Sequence, residues 1–152
     1  MGRGWAKIGQ RLRIPTTSQH RERLNVFGWV APLLGRQGLV RTPKGNRDGF
    51  LSVLAHLYKR LRGHTIWLYV DGASWHKGDA IKEFLSTHTR LHLEYLPPYQ
   101  PALNMQERVW RQIRYEATTN RFFKNLDQTW MTVQHTTQHW SSQKIQRLCH
   151  IT

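Results

Sequence analysis

The sequence predicts a mixed α/β fold, a sheet with helices on its faces. Three observations carry that reading. Residues 66–70, I-W-L-Y-V, are a continuous apolar run of strand length, the pattern of a strand buried on both faces. Residues 91–96, L-H-L-E-Y-L, alternate and stop at Pro97-Pro98. Between these runs Ile81, Phe84 and Leu85 recur at helical spacing, which makes a strand-helix-strand unit.

The remaining elements follow in order. Residues 24–34, rich in Val, Phe and Trp, read as a strand. Residues 39–42, after the turn of residues 35–38, read as its hairpin partner. R-L-R-I at 11–14 suggests a further short strand. Asp48 is placed as the cap of a helix carrying Phe50, Leu51, Leu54, Leu57, Tyr58 and Leu61 inward, which Gly63 stops. Residues 79–89 form the next helix, Pro101 opens another, and a final helix covers residues 126–140. The whole of residues 1–152 reads as one domain, a length that supports a real core.

Charge narrows the function. The chain has 23 Lys and Arg against 9 Asp and Glu, a net charge of +14. Residues 1–66 carry 13 of those cations and two of the acids. A basic face of that size favours a polyanion, most simply the phosphate backbone of nucleic acid. The lone Cys149 excludes an internal disulfide and fits a reducing compartment. No apolar stretch approaches the ~20 residues of a membrane span, and the first residues lack the apolar region of a signal peptide. The expected location is the cytoplasm, in association with the nucleoid, with no membrane partner.

In so basic a chain, carboxylates in special places stand out. Asp71 is the first residue past the 66–70 run, at the carboxyl edge of a strand where α/β folds collect ligands. It also suits a turn or a helix cap. Glu107, on a helical wheel started at Leu103, falls at the border of the stripe of Trp110, Ile113 and Ala117, toward the sheet. It also suits an intrahelical pair with Arg111 or Arg114. Two inward carboxylates on adjacent elements suggest a hard-cation site: Mg²⁺ or Mn²⁺ prefers carboxylate oxygens and is readily shared with phosphate.

These same residues carry a family likeness. I-W-L-Y-V-D-G-A-S-W-H-K followed by L-E-Y-L-P-P-Y-Q-P-A-L-N-M-Q-E-R-V-W resembles the DDE transposases of bacterial insertion sequences in the mariner-like superfamily, with 35 residues between Asp71 and Glu107. W-A-K-I-G and N-V-F-G-W-V are similar to the family as well. The resemblance implies a ribonuclease H-like fold and metal-dependent DNA strand cleavage and strand transfer. It implies two Mg²⁺ or Mn²⁺ ions, with Asp71 and Glu107 as the second and third acids of a catalytic triad. It implies double-stranded DNA, transposon ends and target, as partner, and a homo-oligomer on that DNA. His76, Lys77, Pro97, Pro98, Tyr99, Asn104 and Trp110 would frame the site.

The sequence departs from the family pattern at Gly72, where Asn is usual, at Gln100 for Ser and at Met105 for Pro. The family's first acid lies on a central strand well before W-A-x-x-G, which here starts at Trp5. The expectation is therefore an N-terminally incomplete domain, lacking the first central strand and holding two of three catalytic acids. Asp48 reads as a cap and Glu22 as a solvated neighbour of Arg21 and Arg23, so neither replaces the missing acid. This leaves open whether the chain is itself an enzyme; weak or absent activity is expected. The alternative readings are an inactive basic DNA-binding remnant and a product that does not fold stably. His76, Lys77, Arg108, Arg111 and Arg114 are the candidate DNA contacts. His135 and His139, four apart, read as surface residues, and Trp75 as the tryptophan best placed to touch a base.

Overall fold

A computed structural model describes residues 7–9 and 23–150. The expected strand at 11–14, and Glu22, lie outside the described residues. Strands β1 (Asn25–Ala31) and β2 (Arg36–Thr42) pair antiparallel, with Phe27 opposite Val40 and Trp29 opposite Gly38. A 3₁₀ turn over Pro32–Leu34 joins them and ends at Gly35, whose φ is 57°. A Cβ there would stand 2.7 Å from the carbonyl oxygen of Ser142, so glycine serves both the turn and the close approach of the last helix.

Helix α1 (Arg47–Arg60) buries Phe50, Leu54 and Leu57, as the spacing predicts, and Val53 besides, while Leu51 and Tyr58 are only partly buried. Its cap is Asn46, not Asp48: the Asn46 side chain accepts from the Gly49 N–H at 3.0 Å. Asp48 sits one turn in, where the positive end of the helix dipole favours an acid. Strands β3 (Ile66–Val70) and β4 (Leu91–Tyr95) pair parallel around helix α2 (Asp79–Thr87), with Ile66 opposite Leu91. Ile66 and Val70 are buried, but Trp67 and Tyr69 are 58% and 60% exposed. So β3 is covered on one face only among the described residues, and Trp67 stacks instead on His92 across the ladder, ring centres 4.5 Å apart.

One core joins the two ribbons. Trp29 of β1, the buried stripe of α1, Ile66 and Val70 of β3, Ile81 of α2 and Leu91 of β4 form a single cluster. The ribbons meet through α1 and not through a ladder: among the described residues, β1–β2 and β3–β4 are separate two-stranded sheets. The other face of the hairpin is covered by helix α3 (Met105–Ile113), whose Val109 and Ile113 pack with Ala117 and Val133 against Val30 and Leu39.

The chain then passes through a π turn over Arg114–Thr118. Helix α4 (Leu126–Gln138) lies where the final helix is expected, and a further helix that the sequence reading did not expect, α5 (Ser142–Leu148), follows it. The break falls where the Ser141 hydroxyl caps α5, accepting from the Lys144 N–H at 3.2 Å. No helix among the described residues is long and apolar enough to cross a membrane.

Candidate active-site groove

Parallel pairing places the carboxyl ends of β3 and β4 on the same side. The Val70 carbonyl extends the ladder by accepting from Leu96 N–H at 2.8 Å. Asp71 thus emerges beside the loop of residues 96–101, and both border a groove of about 280 Å³. Glu107 lines the same groove from the first turn of α3, with Pro97, Pro98, Tyr99 and Asn104 between. The two acids singled out from sequence therefore share one concavity.

Each is held by its own local device. Asp71 closes an Asx turn: its Oδ1 accepts from the Ala73 N–H at 3.1 Å. The same oxygen lies 3.0 Å from Nδ1 of His76. Its Oδ2 has no hydrogen bond among the described residues, and the side chain is 60% exposed. Glu107 is placed by Asn104, which caps α3 by accepting from the Gln106 N–H at 3.1 Å. That makes Glu107 the third helical residue, the position from which a glutamate commonly reaches back to the cap's N–H. Here the Asn104 N–H already donates to the Pro101 carbonyl at 3.1 Å. Glu107 makes no ion pair among the described residues and faces outward. The expected inward bias of Glu107 is corrected accordingly. Leu103, taken as the wheel's origin, lies before α3 in a 3₁₀ turn and is 51% exposed.

The loop between the acids is stiff. Pro97, Pro98 and Pro101 fix three φ angles, and Tyr99 sits at φ 60°, costly for a non-glycine residue, with its side chain 99% exposed. Trp75 is 40% exposed beside the groove's Asp71 end. Gly72 faces open space, so an Asn side chain would meet nothing there.

Among the described residues, three other acids are paired elsewhere. Glu116 accepts from Lys144, Trp140 Nε1 at 2.8 Å and Gln112 at 2.5 Å. Burial pushes its carboxyl up, but those hydrogen bonds and the Lys144 charge outweigh burial and hold it below the usual carboxylate range. Asp127 pairs with Arg41, and Asp79 with Lys82. Among the described residues no group of three His, Cys, Asp or Glu is placed to hold a metal ion. A larger open depression of about 620 Å³ on α5 holds no carboxylate, and its Lys144 is tied to Glu116.

The candidate DNA contacts separate. Lys77 is exposed, its Nζ 5.2 Å from the centre of the Tyr95 ring. Arg111 and Arg114 are exposed on α3 and its continuation. Arg108 is half-buried, and its charge is felt at Cys149, whose thiol burial pushes up. His76 is 8% exposed and turned inward, its ring 4.3 Å from that of Phe50, so it is not a surface contact for phosphate. His135 and His139 are exposed, with rings 4.5 Å apart.

Comparison with known proteins bears on the family and the fold. A family model described as "DDE superfamily endonuclease" matches residues 1–129. A Shigella sonnei protein described as "Insertion element IS630 uncharacterized 39 kDa protein" is 28% identical over 138 residues, covering 89% of this chain and 39% of that protein. "Uncharacterized protein y4pE/y4sA" of Sinorhizobium fredii (strain NBRC 101917 / NGR234) is 30% identical over 104 residues, 67% of this chain and 73% of that one. The chain thus spans well under half of the Shigella relative. Among solved structures, the catalytic domain of Mos1 mariner transposase superposes with a TM-score of 0.63 at 16% identity, over 82% of this chain and 66% of that one. The fold is ribonuclease H-like, and the chain belongs to the DDE superfamily of endonucleases, the family of DDE transposase catalytic domains.

Proposed function

We propose that the groove is the metal-binding and strand-cleaving site of a DNA transposase, with Asp71 and Glu107 as its carboxylate ligands. The observation that carries this reading is their convergence on one concavity with unspent oxygens. Asp71 Oδ2 and the Glu107 carboxylate have no partner among the described residues, in a strongly cationic protein where such a partner would be easy to find. Hard oxygen donors in an exposed groove suit Mg²⁺ or Mn²⁺, which keep waters and tolerate few protein ligands. When bound, such ions would polarise a phosphodiester and favour an attacking water or 3′ hydroxyl.

The chain's own residues do the remainder. Asp71 and Glu107 fix the position of the site, the proline loop keeps its wall rigid, and exposed Lys77 offers a charge to phosphate. Double-stranded DNA, both transposon ends and target, is the expected partner, bound by an oligomer of the chain.

A second reading is a basic DNA-binding remnant without catalysis. It draws on the absence of a third acid among the described residues and on the few cations that are paired there, Arg41, Lys82 and Lys144. Incubation with supercoiled plasmid separates the two. The proposal expects a trace of nicking that requires Mg²⁺ or Mn²⁺ and disappears in Asp71→Asn and in Glu107→Gln. Nicking that persists in both variants would refute it. Plasmid that is bound but never nicked would favour the remnant.

A further inference from the structure

We propose that His76 is the positioning residue of Asp71, holding its main chain by an Nδ1–H hydrogen bond and its carboxylate by the close approach of the same nitrogen. The inference rests on the reading of Asp71 as a metal ligand and adds a residue that acts through it. His76 Nδ1 lies 3.0 Å from Asp71 Oδ1 and 3.1 Å from the Asp71 main-chain oxygen. Both neighbours are acceptors, so Nδ1 carries the proton: it donates to the main-chain oxygen and lies against Oδ1 as an electrostatic contact. The Ala73 N–H hydrogen bond and the His76 nitrogen both meet Oδ1, which favours one orientation of the carboxylate. Oδ2 is left as the free oxygen of a residue that lines the groove.

The ring packs on α1 and on its neighbour Trp75, and the backbone that carries it is held from β4 and α1. It packs on Phe50 of α1 with centres 4.3 Å apart and meets Trp75 edge-on at 6.0 Å. The 3₁₀ turn over Ser74–His76 is closed by His76 N–H donating to the Ala73 carbonyl at 3.0 Å. Tyr95 of β4 donates its hydroxyl to the His76 carbonyl at 2.9 Å. Arg47 of α1 donates through Nε to the carbonyl of Lys77, the next residue, at 2.9 Å. A buried imidazole held in this way favours one orientation of the aspartate without being consumed in any step. Partners that orient a metal-binding side chain typically change metal affinity by about 10–100-fold when removed.

The variants His76→Asn and His76→Gln separate positioning from packing. An asparagine amide nitrogen falls where Nδ1 sits, whereas a glutamine amide nitrogen falls where Nε2 sits. Mn²⁺ affinity, read by electron paramagnetic resonance of the free ion, is expected to stay near the parent value in His76→Asn. It should weaken by roughly 10-fold or more in His76→Gln at comparable melting temperature. Equal affinity in both variants and the parent overturns the inference, provided Asp71→Asn abolishes binding. Binding that Asp71→Asn leaves intact, or its absence in the parent, overturns the underlying reading of the groove and the inference with it. Independently of metal, ¹⁵N correlation spectra of the His76 ring should show a proton on Nδ1; a neutral ring protonated only on Nε2 overturns the proposal.

Discussion

At the scale of single residues, small and polar side chains decide where the chain turns and where acids point. Gly35 meets two demands at once, a left-handed φ and the passage of Ser142 close by. Gly35→Ala is therefore expected to cost at least about 1–2 kcal/mol from the backbone alone, measured by urea denaturation. Asp71 was legible in the sequence because it ends an apolar run, and Glu107 because it precedes a clear helical stripe. Their freedom from partners was not legible. It depends on Asn104 N–H being taken by Pro101, and on Asp71 Oδ1, not Oδ2, being the bonded oxygen. The inward turn of His76 was hidden for a similar reason: a histidine in a short polar stretch shows no periodicity, and only Phe50 across the fold decides where it goes.

Among the elements, periodic segments were readable and the breaks between them were not. The stripe of α1 and the strand-helix-strand unit of β3, α2 and β4 lie where apolar spacing puts them. Helix α5, beyond the expected final helix, was not legible, because Ser141 as a cap is visible only once the chain has turned. The burial of β3 on a single face was missed because Trp67 and Tyr69 count as apolar in a sequence, yet stand in solvent as amphipathic rings.

The π turn and α5 are locked together by Glu116, which gathers Lys144, Trp140 and Gln112. Its carboxyl is held low in the folded state, so it stabilises the fold at pH values above the ordinary carboxylate range. That contribution is lost as pH falls through the folded value. Glu116→Gln is expected to lose about 1–3 kcal/mol near neutrality, since the Lys144 ammonium keeps only a neutral amide for a partner. The variant's stability should also depend less on pH in the acid range, by thermal melts between pH 3 and 7. An acid-range profile identical to that of the parent would show the cluster to be unimportant.

For the whole molecule, charge and the shared core make the two claims that matter. One cluster spans both ribbons through α1, so the described residues should melt in a single cooperative transition, and separate transitions for the two ribbons would contradict that packing. The excess of cations, few of them paired among the described residues, predicts DNA binding without sequence preference. Affinity should fall steeply with salt, the logarithmic slope growing by roughly 0.9 for each phosphate contacted. Salt-insensitive binding would contradict it.

The central claim is that Asp71 and Glu107 hold one divalent cation between them. Its most direct measurement is a Mn²⁺ titration followed by paramagnetic broadening of backbone amides. The account predicts that amides of residues 71–73 and 104–108 broaden together at low Mn²⁺, and that both segments stay sharp in Asp71→Asn. Broadening of one segment without the other, or of both in Asp71→Asn, would contradict it.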